Sequence, residues 1–457
     1  MTRTIPSEIM KLHTPALMLT CLCLLAACSA GDTALLPPAE QPAPVTFDVY
    51  MGLTSDTRAG TGGELTTANL ADFGVYAYHN GTTSWDSYTG SGIVPDYMYN
   101  QQVERLADGT WSYTPIKYWP NGSGTANDAT GQGTTPHRVS FFAYAPYVSL
   151  NITDLNEKDD PTTDPTSGIT AINACDHAPV IAYTLADDHA AQVDLLYANT
   201  NTDRTKPAVG EKILFDFHHA LAAIDIHVQL VYNKKEAPST ANPEATKVYI
   251  SSLALRGSNL PATGRFALAD ATWGTTDGTA AITIPADQIA PPLRGAAPDA
   301  TIEAIRLAEL NTWDTQPGVT ETETRLTTNT VATMLIPAGS TTLTPTLNYN
   351  FLTLDDGLAL SPYTTVDALT GDVIHRFARI SNSVSATTDA VTLEAGKRYT
   401  LVCRIGVETM EFGVKGVTSM EAAVTAVEDW DFPMRFNPAV DPFTIPDATD
   451  KTLNEAD

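Results

Sequence analysis

Short stretches in which apolar and polar residues alternate, each closed by turn formers, recur from Val45 to Val414, and helical periodicity is weak throughout. Successive side chains on a strand point to opposite faces, so a period of two marks one buried face and one wet face. In Val45-Thr-Phe-Asp-Val-Tyr-Met51, residues Val45, Phe47, Val49 and Met51 share a face and Asp48 takes the other. Segments 73–78, 138–145 and 213–217 follow, then 220–231, 247–255, 331–336, 398–407 and 411–414. Segment 302–310 fits either a short helix or a strand with a loop. Many short strands with turn signals between them predict an all-β chain built of β-sandwiches. No fixed-period repeat is visible, which excludes a solenoid or a propeller.

The N-terminus carries a different signal. Arg3, Lys11 and His13 precede an apolar run from Pro15 to Ala27, followed by Cys28. Crossing the hydrocarbon core takes about 20 apolar residues, so the run is a secretory signal rather than a span. Leu25-Ala-Ala-Cys28 has the form of a bacterial lipobox. Residues 1–27 are therefore expected to be removed and Cys28 to be acylated, with a plain signal and an incidental cysteine as the other reading. Starting at Met1 or at Met10 leaves this unchanged. More than one acyl chain is needed for stable anchoring, each buried methylene contributing about 0.8 kcal/mol. Residues 28–44, rich in proline, read as the lipidated cysteine and an extended tether.

The 457 residues are 43% hydrophobic and 17% charged, enough for real cores and little for long surface helices. A net charge of −27 argues against nucleic-acid binding, which needs basic groups against phosphate. A strongly acidic exterior instead keeps a densely displayed surface protein soluble. Beyond the signal and Cys28 only Cys175 and Cys403 remain. Their apolar or small-residue surroundings favour two free buried thiols, and one bridge stays open in an oxidising compartment.

Chemistry-bearing patterns are scarce. The chain has no Gly-x-Ser-x-Gly elbow, no His-Glu-x-x-His pair and no phosphate-binding glycine loop, so no enzyme and no catalytic residue is expected. His218 and His219 are neighbours on a strand and face opposite ways; His227 shares a face only with His219, which leaves no third ligand, and no metal or cofactor is expected. Asp159, Asp160 and Asp164, and Asp187 with Asp188, read as solvated turns because their spacing is not that of a calcium loop. Trp111, Tyr113, Tyr118 and Trp119 read as core and edge packing more than as a sugar platform. Trp85 and Tyr88, in a polar stretch, are expected to be exposed and would suit a glycan binder.

Several of these segments, in order, resemble one known family. Val45-Thr-Phe-Asp-Val-Tyr-Met-Gly-Leu-Thr-Ser-Asp-Thr-Arg-Ala-Gly60 is similar to the first strand and Arg-Ala junction of fimbrillins, building blocks of Bacteroidales fimbriae. Leu70–Tyr78, Trp111–Pro120 paired with Val139–Pro146, Val193–Ala198 and Phe215–Ile226 continue the likeness. The second half resembles the family more loosely, through Leu335-Ile-Pro337, Leu393–Tyr399 and Glu428-Asp-Trp430.

The resemblance implies two transthyretin-like (Greek-key) β-sandwich domains in tandem, 45–235 and 236–435, followed by an extended acidic tail, 436–457. It further implies a lipid-anchored outer-membrane precursor, cut after Arg58 by an arginine-specific surface protease so that Ala59 becomes the new N-terminus. The first strand, about 45–53, would leave, and a strand donated by another fimbrial subunit would add to the exposed edge. The polar, glycine-rich stretch around Arg58 is the kind of loop proteases nick. The alternative is a non-polymerising lipid-anchored protein: a fimbrial anchor, a tip, or a binder of glycans or host proteins. Phe432, Met434 and Phe436 alternate as a donated strand would, while nearby prolines suit an edge strand or linker.

Overall fold

The computed structural model describes residues 43–50, 65–66, 69–90, 92–120, 135–149, 166–208, 211–233, 246–285, 305–306, 324–325, 333–360, 364–366, 369–410 and 413–430. These are all-β apart from two short 3-10 turns, Trp85–Ser87 and His189–Ala191. In the ambiguous 302–310 segment the described pair, Ile305–Arg306, is strand.

The N-terminal half is organised around a six-stranded antiparallel sheet. Its order is His218–His219, Leu196–Arg204, Arg138–Ala145, Asp72–Gly81, Met98–Arg105 and Trp111–Ser112. The central strands are buried on both faces, and the period of two sorts their side chains into two cores. Phe73, Val75, Ala77, Phe141 and Ala143 point into one; Tyr76, Tyr78, Phe142 and Tyr144 point into the other. This is why 73–78 and 139–145 read as nearly unbroken apolar runs. Gly74 lies opposite Tyr144, and a Cβ there would meet the phenol ring at 2.2 Å, so the ring occupies the space that glycine leaves.

The first of these cores is closed by a parallel pair, Phe47–Tyr50 against Ile213–Asp216. The second is shared with a four-stranded sheet ordered Thr272–Asp277, Thr263–Ala267, Val180–Thr184 and Gly168–Asn173. In the C-terminal half, Ala222–Asn233 pairs in parallel with Lys397–Met410, which forms a long hairpin with Gly413–Asp429. A second sheet runs Ala281–Pro285, Thr246–Gly257, Leu343–Leu354, Val373–Ser385 and Thr364–Val366. Leu253, Leu255 and Leu347 from that sheet share a core with Ile224, Ile226, Tyr399 and Leu401.

Among the described residues four ladders join residues on either side of 235/236: Val180–Thr184 with Thr263–Ala267, and Ala222–Asn233 with Thr324–Arg325, Thr333–Leu335 and Lys397–Met410. Cys175 and Cys403 are not joined in a disulfide. Cys403 is buried, which pushes its thiol up to about 12, whereas Cys175 is only half-buried and departs from the expectation of a buried thiol.

Candidate functional site: the groove of the first strand

The expected removable strand lies in the first core. Along 43–50 the side chains alternate as the sequence predicts: Val45 and Phe47 are buried, and Pro44 and Thr46 are exposed. Its backbone is paired on both sides. On one side the pairing is antiparallel, with Val45 N donating to Lys117 O (2.8 Å) and Trp119 N to Ala43 O (3.0 Å) around a Pro44–Tyr118 bridge. On the other it is parallel, with Ile213 N donating to Thr46 O at 2.8 Å and Phe47 opposite Ile213 through Tyr50 opposite Asp216. Residues 43–50 are thus an inserted stave that gives both flanking segments their ladder partners.

The groove is shaped for an aromatic side chain. The Phe47 ring lies among Tyr113 (5.3 Å between centroids), Phe215 (5.4 Å), Phe141 (6.0 Å) and Phe73 (6.5 Å), in tilted and edge-on arrangements that favour aromatic pairs. Tyr113 turns its hydroxyl to the backbone, donating to Val45 O (3.0 Å) and accepting from Lys117 N (3.2 Å). Burial raises the Tyr113 pKa, with the hydrogen bond from Lys117 opposing it, so the phenol stays a donor. At the rim, Lys212 and Asp48 form a half-exposed ion pair at 3.3 Å.

A buried polar cluster lies beyond the far end of the groove. Asp194, fully buried, accepts from Leu65 N at 2.9 Å and pairs with His219 Nδ1 at 2.9 Å. The His219 imidazole stacks on Trp430, centroids 3.7 Å apart and planes 6° apart. Arg398 covers Trp430 at 5.5 Å and reaches Asp225 at 3.4 Å. Trp430 N also donates to Gly396 O at 2.7 Å. Leu65, seven residues after Arg58, and Trp430 are therefore held by one His–Asp pair. Sequence reasoning missed this cluster, because its members are far apart in the chain.

The other expected site residues divide clearly. Cys28, Arg58 and Ala59 lie outside the described residues, as do Asp159, Asp160 and Asp164. Asp188 caps a short turn, accepting from Ala190 N at 3.0 Å. His218 faces Asp216 at 3.7 Å while His219 turns inward, the opposite orientation expected of strand neighbours. Among the described residues no three His, Cys, Asp or Glu side chains converge. Tyr113 and Trp119 are core residues and Trp111 packs on Phe73 at 5.0 Å, but Tyr118 is exposed. The exposure expected for Trp85 and Tyr88 is corrected: both are half-buried, because the 3-10 turn folds Trp85 onto Phe142 (4.9 Å) and Tyr78 (5.0 Å). Tyr88 lies 6.0 Å from Trp85, and the pair backs onto the core instead of forming an open platform.

Comparison with known proteins agrees with the architecture. A curated relative, the fimbrium subunit Fim1C of Phocaeicola vulgatus, is 27% identical over 247 residues, covering 52% of this chain and 55% of the relative. The match thus spans about half the length of that relative. A crystal structure of a fimbrial protein from Bacteroides vulgatus superimposes with a TM-score of 0.53 at 19% identity, covering 85% of this chain and 99% of that one, which shows a common fold. The sequence profile of the fimbrillin-like family matches residues 57–430, and on that extent the chain belongs to the fimbrillin-like family.

Proposed function

We propose that the chain is a structural and adhesive subunit of cell-surface fimbriae, exported as a lipoprotein through Cys28 and assembled by exchange of its first strand. The observation that carries this reading is the double pairing of residues 43–50. Removing them after cleavage at Arg58 uncovers two strand edges and the Phe47 pocket together. An unmade buried hydrogen bond costs about 1–3 kcal/mol, and re-exposing a phenylalanine about 1.5–3 kcal/mol. The emptied groove therefore favours a replacement strand, and a protease with arginine specificity acts as the trigger.

The C-terminal segment supplies a matching pattern. Pro44-Val-Thr-Phe47 is echoed by Pro433-Met-Arg-Phe436 and by Pro442-Phe-Thr-Ile445. Pocket shape favours the first. Phe436 repeats the ring that Phe47 places among four aromatics, and Met434 is unbranched and adaptable enough for the Val45 position. Phe443 there would overfill the site, at a cost of about 1–3 kcal/mol. Pro44 already occupies the groove, so Pro433 meets no new restriction.

On this reading the partners are further subunits, the outer membrane before processing, and host proteins or glycans met by the finished fimbria, with no catalytic role. Mass spectrometry of the N-terminus in membranes and in sheared filaments tests it. Chains beginning at Ala59 in filaments are expected. Chains beginning only at acylated Cys28, confined to membranes, would assign the protein instead to an anchor or a non-polymerising surface binder.

A further inference from the structure

We infer that His79 and His137 form a two-imidazole site for a divalent transition metal of the copper or nickel type, at the margin of the six-stranded sheet. The inference is independent of strand exchange and stands or falls on its own test.

The two histidines are 58 residues apart in the chain and meet across the ladder between Asp72–Gly81 and Arg138–Ala145. His79 lies opposite Val139, and His137 is two residues before Val139, a diagonal that long side chains on an antiparallel pair can bridge. The ladder is irregular at this point: its register shifts between His79 and Gly81, which leaves Asn80 as an extra residue. Such a bulge re-aims the neighbouring side chain. Gly81, at φ +59°, takes the left-handed conformation that the kink needs. Asn80, 3% exposed, locks the bulge by donating to Thr83 O (2.7 Å) and Asp203 Oδ1 (2.8 Å) and accepting from Ser140 Oγ (3.3 Å). The backbone N–H of His79 donates to Asp96 Oδ1 at 2.9 Å. The His79 ring is thus carried on backbone that is fixed on both sides.

His79 Nε2 and His137 Nδ1 lie 3.0 Å apart, with ring centroids 5.0 Å apart and ring planes at 42°. Both rings are half-buried, and at such a margin water could serve each of them separately. A rigid support for their meeting therefore points to a shared ligand. Two nitrogens 3.0 Å apart, each about 2.0–2.1 Å from one ion, subtend about 94° at it. That is close to the right angle between neighbouring ligands of tetragonal copper(II) or nickel(II), and short of the tetrahedral angle that zinc favours.

A small rotation of the rings brings both lone pairs to one point. The shared proton leaves to water and the ring that donated it is reprotonated at its other nitrogen, so both ligands are neutral imidazoles. Asp96, exposed beside His79, offsets part of the ion's charge, whereas Arg204, across Val139 from His79, opposes it. Two protein ligands are fewer than the four of a closed structural site, so water fills the remaining positions and the ion exchanges. While bound, it ties the two central strands together and stabilises the fold in proportion to its saturation.

The test uses the full chain without a polyhistidine tag, purified from membranes in detergent. A Cys175→Ser background keeps that thiol from competing for copper(II) or reducing it. Calorimetric titration with copper(II), in the presence of glycine to hold loosely bound ion, is expected to show one ion per chain. His79→Ala and His137→Ala should each weaken binding by about a hundredfold or more, beyond the 10–100-fold typical for loss of an outer-shell partner. His218→Ala should bind as the parent does. His137→Gln keeps an acceptor for the His79 ring; it should melt like the metal-free parent and lose the rise in melting temperature that copper gives the parent. Copper that binds the parent no more tightly than the alanine variants overturns the site and leaves the pair as a structural hydrogen bond. A copper-dependent rise in His137→Gln equal to that of the parent overturns it as well, and this readout stands even if the alanine variants do not fold.

Discussion

His219 and Trp430 stack face to face, 3.7 Å between ring centroids, across the seam where the C-terminal hairpin meets the six-stranded sheet. The imidazole is fixed from its other edge by Asp194, a carboxylate with no exposure of its own. Replacing His219 with alanine removes the stack and leaves that carboxylate buried without its imidazole hydrogen-bond partner. A loss of about 1–3 kcal/mol is expected, read as a lower urea midpoint with an unchanged slope. A variant within about 0.5 kcal/mol of the parent would show that the cluster contributes little to holding the seam together.

Phe47→Ala should cost about 3–5 kcal/mol, because the ring fills a pocket bounded by four aromatics and the site cannot collapse around the smaller side chain. Thr46→Ala, one residue away and facing solvent, should stay within about 0.5 kcal/mol. Thermal melts of the two variants against the parent measure the difference, and similar shifts for both would contradict the seating of this strand.

The proposed maturation step turns on one residue. Arg58→Ala should leave the precursor folded and in the membrane fraction, beginning at Cys28, with no Ala59 terminus and no ladders. Assembly at parental levels in that variant would remove cleavage at Arg58 from the account.

Thiol chemistry separates the two remaining cysteines. In the folded mature chain at pH 8, iodoacetamide should modify Cys175 and spare Cys403, and both should react after unfolding. Burial raises the Cys403 thiol from its ordinary value of 9.0 to about 12, so the unfolded chain ionises first as pH rises. The contribution of Cys403 to stability is therefore intact below pH 9 and is lost progressively as pH approaches 12. A Cys403→Ala variant whose stability falls just as steeply over that range would assign the loss to other groups.

Much of this architecture was open to reading in the chain. The alternation of Val45, Phe47 and Val49 identified a strand with one buried face, and the proline-flanked aromatic segment 111–120 pointed to packing. Sequence could not reveal that 43–45 is antiparallel to 117–119 while 47–50 is parallel to 213–216, because pairing between distant segments leaves no local trace. Trp85 was misread because Ser84, Asp86 and Ser87 make its surroundings polar, whereas the short turn reverses the direction of the ring. The Leu65–Asp194–His219–Trp430 connection carried no signal at all, since a buried acid and a surface acid look alike in a chain with 53 of them.

The two-sided burial of the central strands limits how this protein can vary in length. In the middle of Asp72–Gly81 and Arg138–Ala145, the odd-numbered Phe73, Val75, Ala77, Phe141 and Ala143 belong to one core and the even-numbered Tyr76, Tyr78, Phe142 and Tyr144 to the other. Inserting or deleting a single residue would exchange the two sets, sending Phe73 and Phe141 toward the four-stranded sheet and Tyr76 and Tyr144 toward the groove. Both interiors would be mispacked by one event, and Tyr144 would lose the gap left for it by Gly74. Relatives that differ in size should therefore differ outside these strands, while the spacing that lines the groove is inherited unchanged.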